Sequence, residues 1–96
     1  MKKYELAVVL SASIDDNARI DEISKIKGYI ERFGGKVIEP IEEWGKKRFA
    51  FPVKHANEGF YYFIPFEGNS VTPNELESYV RIMDNVLRYL VVAKES

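Results

Sequence analysis

Gly59-Phe60-Tyr61-Tyr62-Phe63-Ile64-Pro65-Phe66 is the stretch on which the fold turns. It is the chain's richest run of the aromatic and β-branched residues that suit a pleated surface. Successive side chains of a strand point to opposite faces. One face therefore carries Phe60, Tyr62, Ile64 and Phe66, and the other carries Tyr61 and Phe63. A strand that is apolar on both faces needs cover on both. Pro65 has no N–H to give to a ladder, which predicts a position near the strand's end or at a bulge.

Upstream of this run, His55 to Glu58 reads as a turn, and before it lie two extended pieces, Lys36 to Trp44 and Arg48 to Lys54, with a bend or bulge at Gly45. Pro40 and Pro52 argue that this part of the chain lies at a sheet edge. Further back, the segment from about Asp16 to Phe33 has the period of a helix. Ile20, Ile23, Ile26, Ile30 and Phe33 form its apolar stripe, Asp15 or Asp16 can cap it, and Gly34-Gly35 ends it. The first strand is Lys3 to Leu10, with Tyr4, Leu6, Val8 and Leu10 on one face and Glu5, Ala7 and Val9 on the other. Its basic start is interrupted by Glu5, so the segment reads as a strand and not as a signal peptide. Downstream, Thr72-Pro73-Asn74-Glu75 has the pattern of a capping box with proline at the first helical position. Leu76, Tyr79, Val80 and Met83 make the stripe of that second helix, and Val86 to Ala93 reads as the last strand.

The order is β-α-β-β-α-β. Each crossover must be right-handed, and the usual solution is a ferredoxin-like α+β fold: a four-stranded antiparallel sheet with two helices on one face. The 96 residues suit a single domain spanning 1–96. A composition of 46% hydrophobic and 30% charged residues is that of a globular chain. No cysteine is present, which removes disulfides and thiolate metal sites and is compatible with a reducing cytoplasm. No apolar run approaches the roughly 20 residues of a membrane-spanning helix. The formal net charge of −1 argues against general affinity for nucleic acid, so any such site must come from local clustering.

The clustered cations are Lys46, Lys47 and Arg48, which follow Gly45. They suit phosphate or partner contacts, or equally a solvated edge strand protected by charge. Lys2, Lys3, Lys54, Arg81 and Arg88 form a looser set. The first and last strands are neighbours in this fold, so Lys3 and Arg88 are expected close together. Arg88 stands in an apolar strand, either contacting a ligand or pairing with Glu5 across the strands. Trp44, Phe60, Tyr61 and Phe63 can stack on bases, or else fill the core and a partner interface. Glu42 and Glu43 point to opposite faces and make no acid–base dyad. His55 is the chain's only histidine and reads as a surface residue, with no companions for a metal. No glycine-rich phosphate loop or nucleophile elbow is present.

Gly45-Lys46-Lys47-Arg48-Phe49-Ala50-Phe51-Pro52-Val53-Lys54 resembles the signature of the sixth protein of the bacterial small ribosomal subunit: Gly, any residue, a basic residue, a polar or basic residue, Leu, Ala or Ser, Tyr, any residue, Ile, then commonly Lys. Phe49, Phe51 and Val53 depart from that pattern while keeping apolar side chains, and Phe51 lacks the tyrosine hydroxyl. Lys3-Tyr4-Glu5 is similar to the family's start. Arg81-Ile82-Met83-Asp84-Asn85-Val86-Leu87-Arg88-Tyr89 is similar to its helix-to-strand junction. The resemblance implies a non-enzymatic, cofactor-free ribosomal protein of the cytoplasm. It implies pairing with the eighteenth small-subunit protein and joint binding to the central domain of small-subunit ribosomal RNA during assembly, with no membrane and no small-molecule substrate. On this reading Lys2, Lys3, Trp44, Lys46, Lys47, Arg48, Lys54, Arg81 and Arg88 are the RNA- or partner-binding candidates. Two other readings share the fold. One is an RNA-recognition module binding single-stranded RNA on its sheet face, which Glu58-Gly59-Phe60-Tyr61-Tyr62 fits only in part. The other is a small enzyme or metabolite-binding regulator.

Overall fold

The computed structural model describes residues 1–94. Strand β1 (Lys2–Ser11) is followed by helix α1 (Asp16–Arg32), strands β2 (Lys36–Val37), β3 (Glu42–Val53) and β4 (Ala56–Gly68), helix α2 (Thr72–Val80) and strand β5 (Val86–Lys94). The strands pair antiparallel in the order β2-β4-β1-β5, and β3 also pairs with β4. This is the expected ferredoxin-like α+β arrangement, with one correction. The sheet has five strands, because the outer strand is in two pieces.

The break has a local cause. Val37 lies opposite Phe66 and Glu42 lies opposite Phe63, so the unpaired residues between β2 and β3 face Ile64 and Pro65. The Pro65 carbonyl accepts from Ile38 N–H at 2.8 Å, which directs the polar groups of Pro65 towards this outer side. Pro65 has no N–H to return, and Pro40 stands in the facing segment and has none either. Pro65 thus stands near the end of a long strand, beside the break in the facing one.

Tyr4, Leu6, Val8 and Leu10 of β1 share one face, as expected; that face meets the helices, and these residues lie opposite Phe66, Ile64, Tyr62 and Phe60 of β4. Leu6, Ile64, Phe66, Ile26, Ile30, Leu76 and Val80 are fully enclosed there. Helix α1 is capped by Asp15, whose Oδ1 accepts from Ala18 N–H at 2.8 Å. It ends at Gly34 with φ +85°, where Gly34 and Gly35 N–H reach the carbonyls of Glu31 and Ile30 in a Schellman motif. The apolar stripe of α1 needs one correction. Ile20 is 63% exposed, because the first turns of the helix overhang a shallow groove towards Pro40 and Ile41 that nothing fills.

Helix α2 begins differently from its expected capping box. Thr72 is not the cap. The cap position falls on Val71, which makes no side-chain cap bond. Asn69, two residues further out, serves the first turn instead, its Oδ1 accepting from Val71 and Thr72 N–H, while Thr72 Oγ1 accepts in return from Asn69 N–H at 3.2 Å. The same Thr72 hydroxyl, fully buried, donates to the Phe33 carbonyl at 2.7 Å. It thereby satisfies an orphan group at the end of α1 and ties the two helices together.

The hairpin between β3 and β4 is also tighter than read from the sequence. Val53 pairs with Ala56, so the turn is Lys54-His55 alone, with φ of +50° and +66°. These are the signs of a type I′ turn, which favours Asn-Gly. His55→Gly should therefore raise stability by about 0.5–1 kcal/mol in urea unfolding, by removing the left-handed penalty on a Cβ-bearing residue. Thr72→Val, of similar shape, should lower it by about 1–3 kcal/mol, because Phe33 O and Asn69 N–H lose a buried partner.

Candidate functional site

The face of the sheet away from the helices is set by the same registers. Glu5, Ala7 and Val9 of β1 lie opposite Val92, Leu90 and Arg88 of β5, and opposite Pro65, Phe63 and Tyr61 of β4. Trp44 joins them from β3, its ring 4.6 Å from that of Phe63 and its indole N–H donating to Glu42 at 2.8 Å. Trp44 remains 54% exposed and Leu90 60% exposed, so this face is apolar and largely open.

Register sorts the candidate cations into two groups. The ladder from Lys3, opposite Lys94, to Val9, opposite Arg88, covers seven residues of β1, six steps along the strand. At roughly 3.4 Å per residue this separates Lys3 from Arg88 by about 20 Å. The expected closeness of Lys3 and Arg88 is overturned, because adjacent strands run antiparallel and place these residues at opposite ends. The pairing of Arg88 with Glu5 fails for the same reason: Glu5 instead bridges to Lys94 at 3.3 Å. Lys2 and Lys3 lie at one end of the sheet, opposite Gly68 and Glu67.

The other end gathers most of the rest. Lys46, Lys47 and Arg48 lie opposite Phe60, Gly59 and Glu58. Lys54 Nζ donates to the Val86 carbonyl at 3.1 Å, which pins the hairpin tip to the start of β5. Arg81 closes α2 just before that strand and is exposed. Arg48 and Arg88 line one groove of about 290 Å³ with Phe49, Phe51 and Tyr61.

This groove depends on an irregularity the sequence reading missed. Between Arg48, opposite Glu58, and Val53, opposite Ala56, β3 carries more residues than β4, and Phe49-Ala50-Phe51-Pro52 bulges out. Phe51 is left 81% exposed. Phe49 folds inward, 6.3 Å from Tyr61 and edge-on to it. Gly59 makes room: a Cβ there would lie 2.5 Å from Val9 Cγ1 and 2.8 Å from Phe49 Cζ. The signal was a glycine inside the chain's strongest strand, which marks a close approach.

The helix side holds the remaining aromatic candidate. Phe60 lies under Arg19, whose guanidinium carbon is 3.6 Å from the ring centroid. Tyr62 is buried beside it, and burial pushes its phenol up, with Arg19 opposing and Glu43 adding to the shift. Phe60 and Tyr62 are therefore not on the open face; Tyr61 and Phe63 are. Glu42 and Glu43 also fall on opposite faces, as expected. Among the described residues no group of three or more His, Cys, Asp or Glu is placed to hold a metal ion. Among the same residues, no helix is long and apolar enough to cross a membrane.

Two helices backing a sheet whose free face is aromatic, apolar and basic at one end define a ferredoxin-like binding protein. Comparison with known proteins narrows the class. Residues 3–93 match the family described as Ribosomal protein S6. The small ribosomal subunit protein bS6 of Clostridium novyi is 43% identical over 95 residues, covering 99% of each chain. That of Clostridium kluyveri is 40% identical with the same coverage. The crystal structure of 30S ribosomal protein S6 from Thermotoga maritima superposes with a TM-score of 0.89 at 26% identity, over 97% of this chain and 87% of that one. The chain belongs to the ribosomal protein S6 family. It is thus a structural constituent of the bacterial small ribosomal subunit, located on the ribosome in the cytoplasm.

Gly59→Ala should lower stability by about 1–3 kcal/mol, since the added methyl overpacks Val9 and Phe49. Arg88 is exposed and makes no ion pair among the described residues. Arg88→Ala should accordingly stay within about 0.5 kcal/mol of the parent in the same urea titration.

Proposed function

We propose that the chain binds the central domain of small-subunit ribosomal RNA together with the eighteenth small-subunit protein, and so aids assembly of the subunit. The observation that carries this reading is the convergence of Arg48 and Arg88 on one groove beside Phe49 and Tyr61. Arginine between aromatic rings suits a phosphate and an unstacked base together. Lys46, Lys47, Lys54 and Arg81 extend positive charge around the same end of the sheet. Since the whole chain has a net charge of −1, this local cluster is the part of the surface that attracts a polyanion.

The protein partner takes the apolar part of the open face in this reading. Trp44, Phe63, Leu90 and Val92 lie there, and removing them from water favours a protein interface. RNA and partner thus contact adjoining areas, which makes their binding mutually supporting. Lys2 and Lys3 lie outside the basic cluster and take no part in it.

The test is a reconstitution of the chain with the eighteenth small-subunit protein and a central-domain RNA fragment, with binding measured against salt. A ternary complex should form, with weaker binding by either protein alone. With about 6 phosphates neutralised, affinity should fall by roughly 10³ between 50 and 200 mM salt. Replacing Arg48 and Arg88 together by alanine should flatten that dependence, with the fold intact. The reading fails if no complex forms at low salt, or if the double substitution leaves the salt dependence unchanged.

A further inference from the structure

The two edges of the sheet are protected very unequally. The β2–β3 edge is broken near Pro40, bulged from Phe49 to Pro52 and lined by Lys46, Lys47 and Arg48. Each of these features blocks the docking of another strand. The opposite edge is β5, Val86-Leu87-Arg88-Tyr89-Leu90-Val91-Val92-Ala93-Lys94, paired only with β1 among the described residues. It has no proline and no glycine, and its charged residues are Arg88 and Lys94. Leu90 is 60% and Val92 38% exposed beside its unpaired backbone. Such an edge is a template for another strand.

We propose that β5 pairs antiparallel with β5 of a second copy of this chain about a two-fold axis at Leu90, joining the two sheets into one continuous sheet with all helices on one side. Charge selects both the occupant and the register. With the axis at Leu90, Arg88 faces Val92 and Tyr89 faces Val91 of the second copy, clear of the register shift at Leu87, where Val9 pairs with Arg88 and Leu10 with Val86, and of Val86, whose carbonyl already accepts from Lys54. No like charges oppose one another, and the central pairs are apolar or aromatic against β-branched, the favourable cross-strand combinations. An axis at Arg88 opposes arginine to arginine, and one at Val91 opposes Arg88 to Lys94; like charges directly opposite are destabilising. An axis at Tyr89 runs the pairing into the register shift at Leu87 and leaves the last residues of the strand unpaired. The regular part of β5 is therefore self-complementary in one register, as an isologous interface requires.

The contact is small. The paired residues Arg88 to Val92 span about 17 Å, and a strip of roughly 200 Å² per copy is below the size of a standard interface. The dimer should be weak, with a dissociation constant on the order of 10⁻⁴ M.

Sedimentation equilibrium of the full chain, over concentrations spanning that value, should show a reversible monomer–dimer equilibrium. Leu90→Lys puts like charges at the two-fold axis at an exposed position. It should abolish the dimer while leaving the circular dichroism spectrum and urea midpoint near the parent's. The chain lacks cysteine, so Leu90→Cys offers a direct readout, since residues directly opposite across two strands are near disulfide distance. Under mild oxidation it should form covalent dimers much faster than Trp44→Cys, which is remote from β5. A chain that stays monomeric throughout overturns the proposal, as does a dimer that survives Leu90→Lys. Faster cross-linking by Trp44→Cys would assign the contact to the open face and would equally overturn it.

Discussion

Strand β4 carries large apolar side chains on both faces, and two helices can cover only one of them. Most of the remaining structure follows from that mismatch. Phe60, Tyr62, Ile64 and Phe66 build the core with β1, α1 and α2. Tyr61 and Phe63 are left on the outside, and the chain covers them partly with its own residues: Trp44 lies against Phe63 and Phe49 against Tyr61. Both come from β3, and both reach the face through a departure from regular pairing, a shift around Trp44 and the bulge after Arg48. The irregular outer strand can therefore be read as partial cover for a face that the helices leave bare.

The groove that Arg48 shares with Arg88 is a by-product of the same bulge. A regular β3 would alternate its side chains strictly between faces. The bulge brings Arg48 around to the groove it shares with Arg88, which comes from the other side of the sheet. The basic groove and the partial cover of the apolar face thus arise from one local irregularity, anchored on Gly59. A bulge at a sheet edge is a common way to re-aim a side chain.

Periodicity alone exposed the elements and the core. The alternation in β1 and β4 placed Tyr4, Leu6, Val8, Ile64 and Phe66 inside, and the helical spacing placed Ile26, Ile30, Leu76 and Val80 there too. Register was hidden, because it is fixed by pairing between distant segments. Hence Lys3 and Arg88 were expected together and lie at opposite ends, and Glu5 bridges to Lys94. Ile20 fits the helical stripe perfectly, yet no neighbouring element extends far enough to cover it. Thr72 has the chemistry of a cap, but tertiary contact decides its use: with Asn69 serving the first turn, its hydroxyl is free to reach Phe33 in the other helix. The groove was invisible for the same kind of reason, since Arg48, Phe49, Tyr61 and Arg88 meet only once three strands are in place.

The position of Trp44 gives the molecule a built-in optical probe. It is the chain's single indole, and it lies on the outer face with about half its surface in water, packed on Phe63 and hydrogen-bonded to Glu42. Its emission therefore reports events on that face, where a macromolecule that excludes water shifts it to shorter wavelength. The six tyrosines are spread more widely: Tyr4 and Tyr62 are buried in the core, and Tyr61 stands on the outer face beside Phe49. Exciting the indole selectively thus separates occupancy of the face from unfolding of the core behind it, with no label attached.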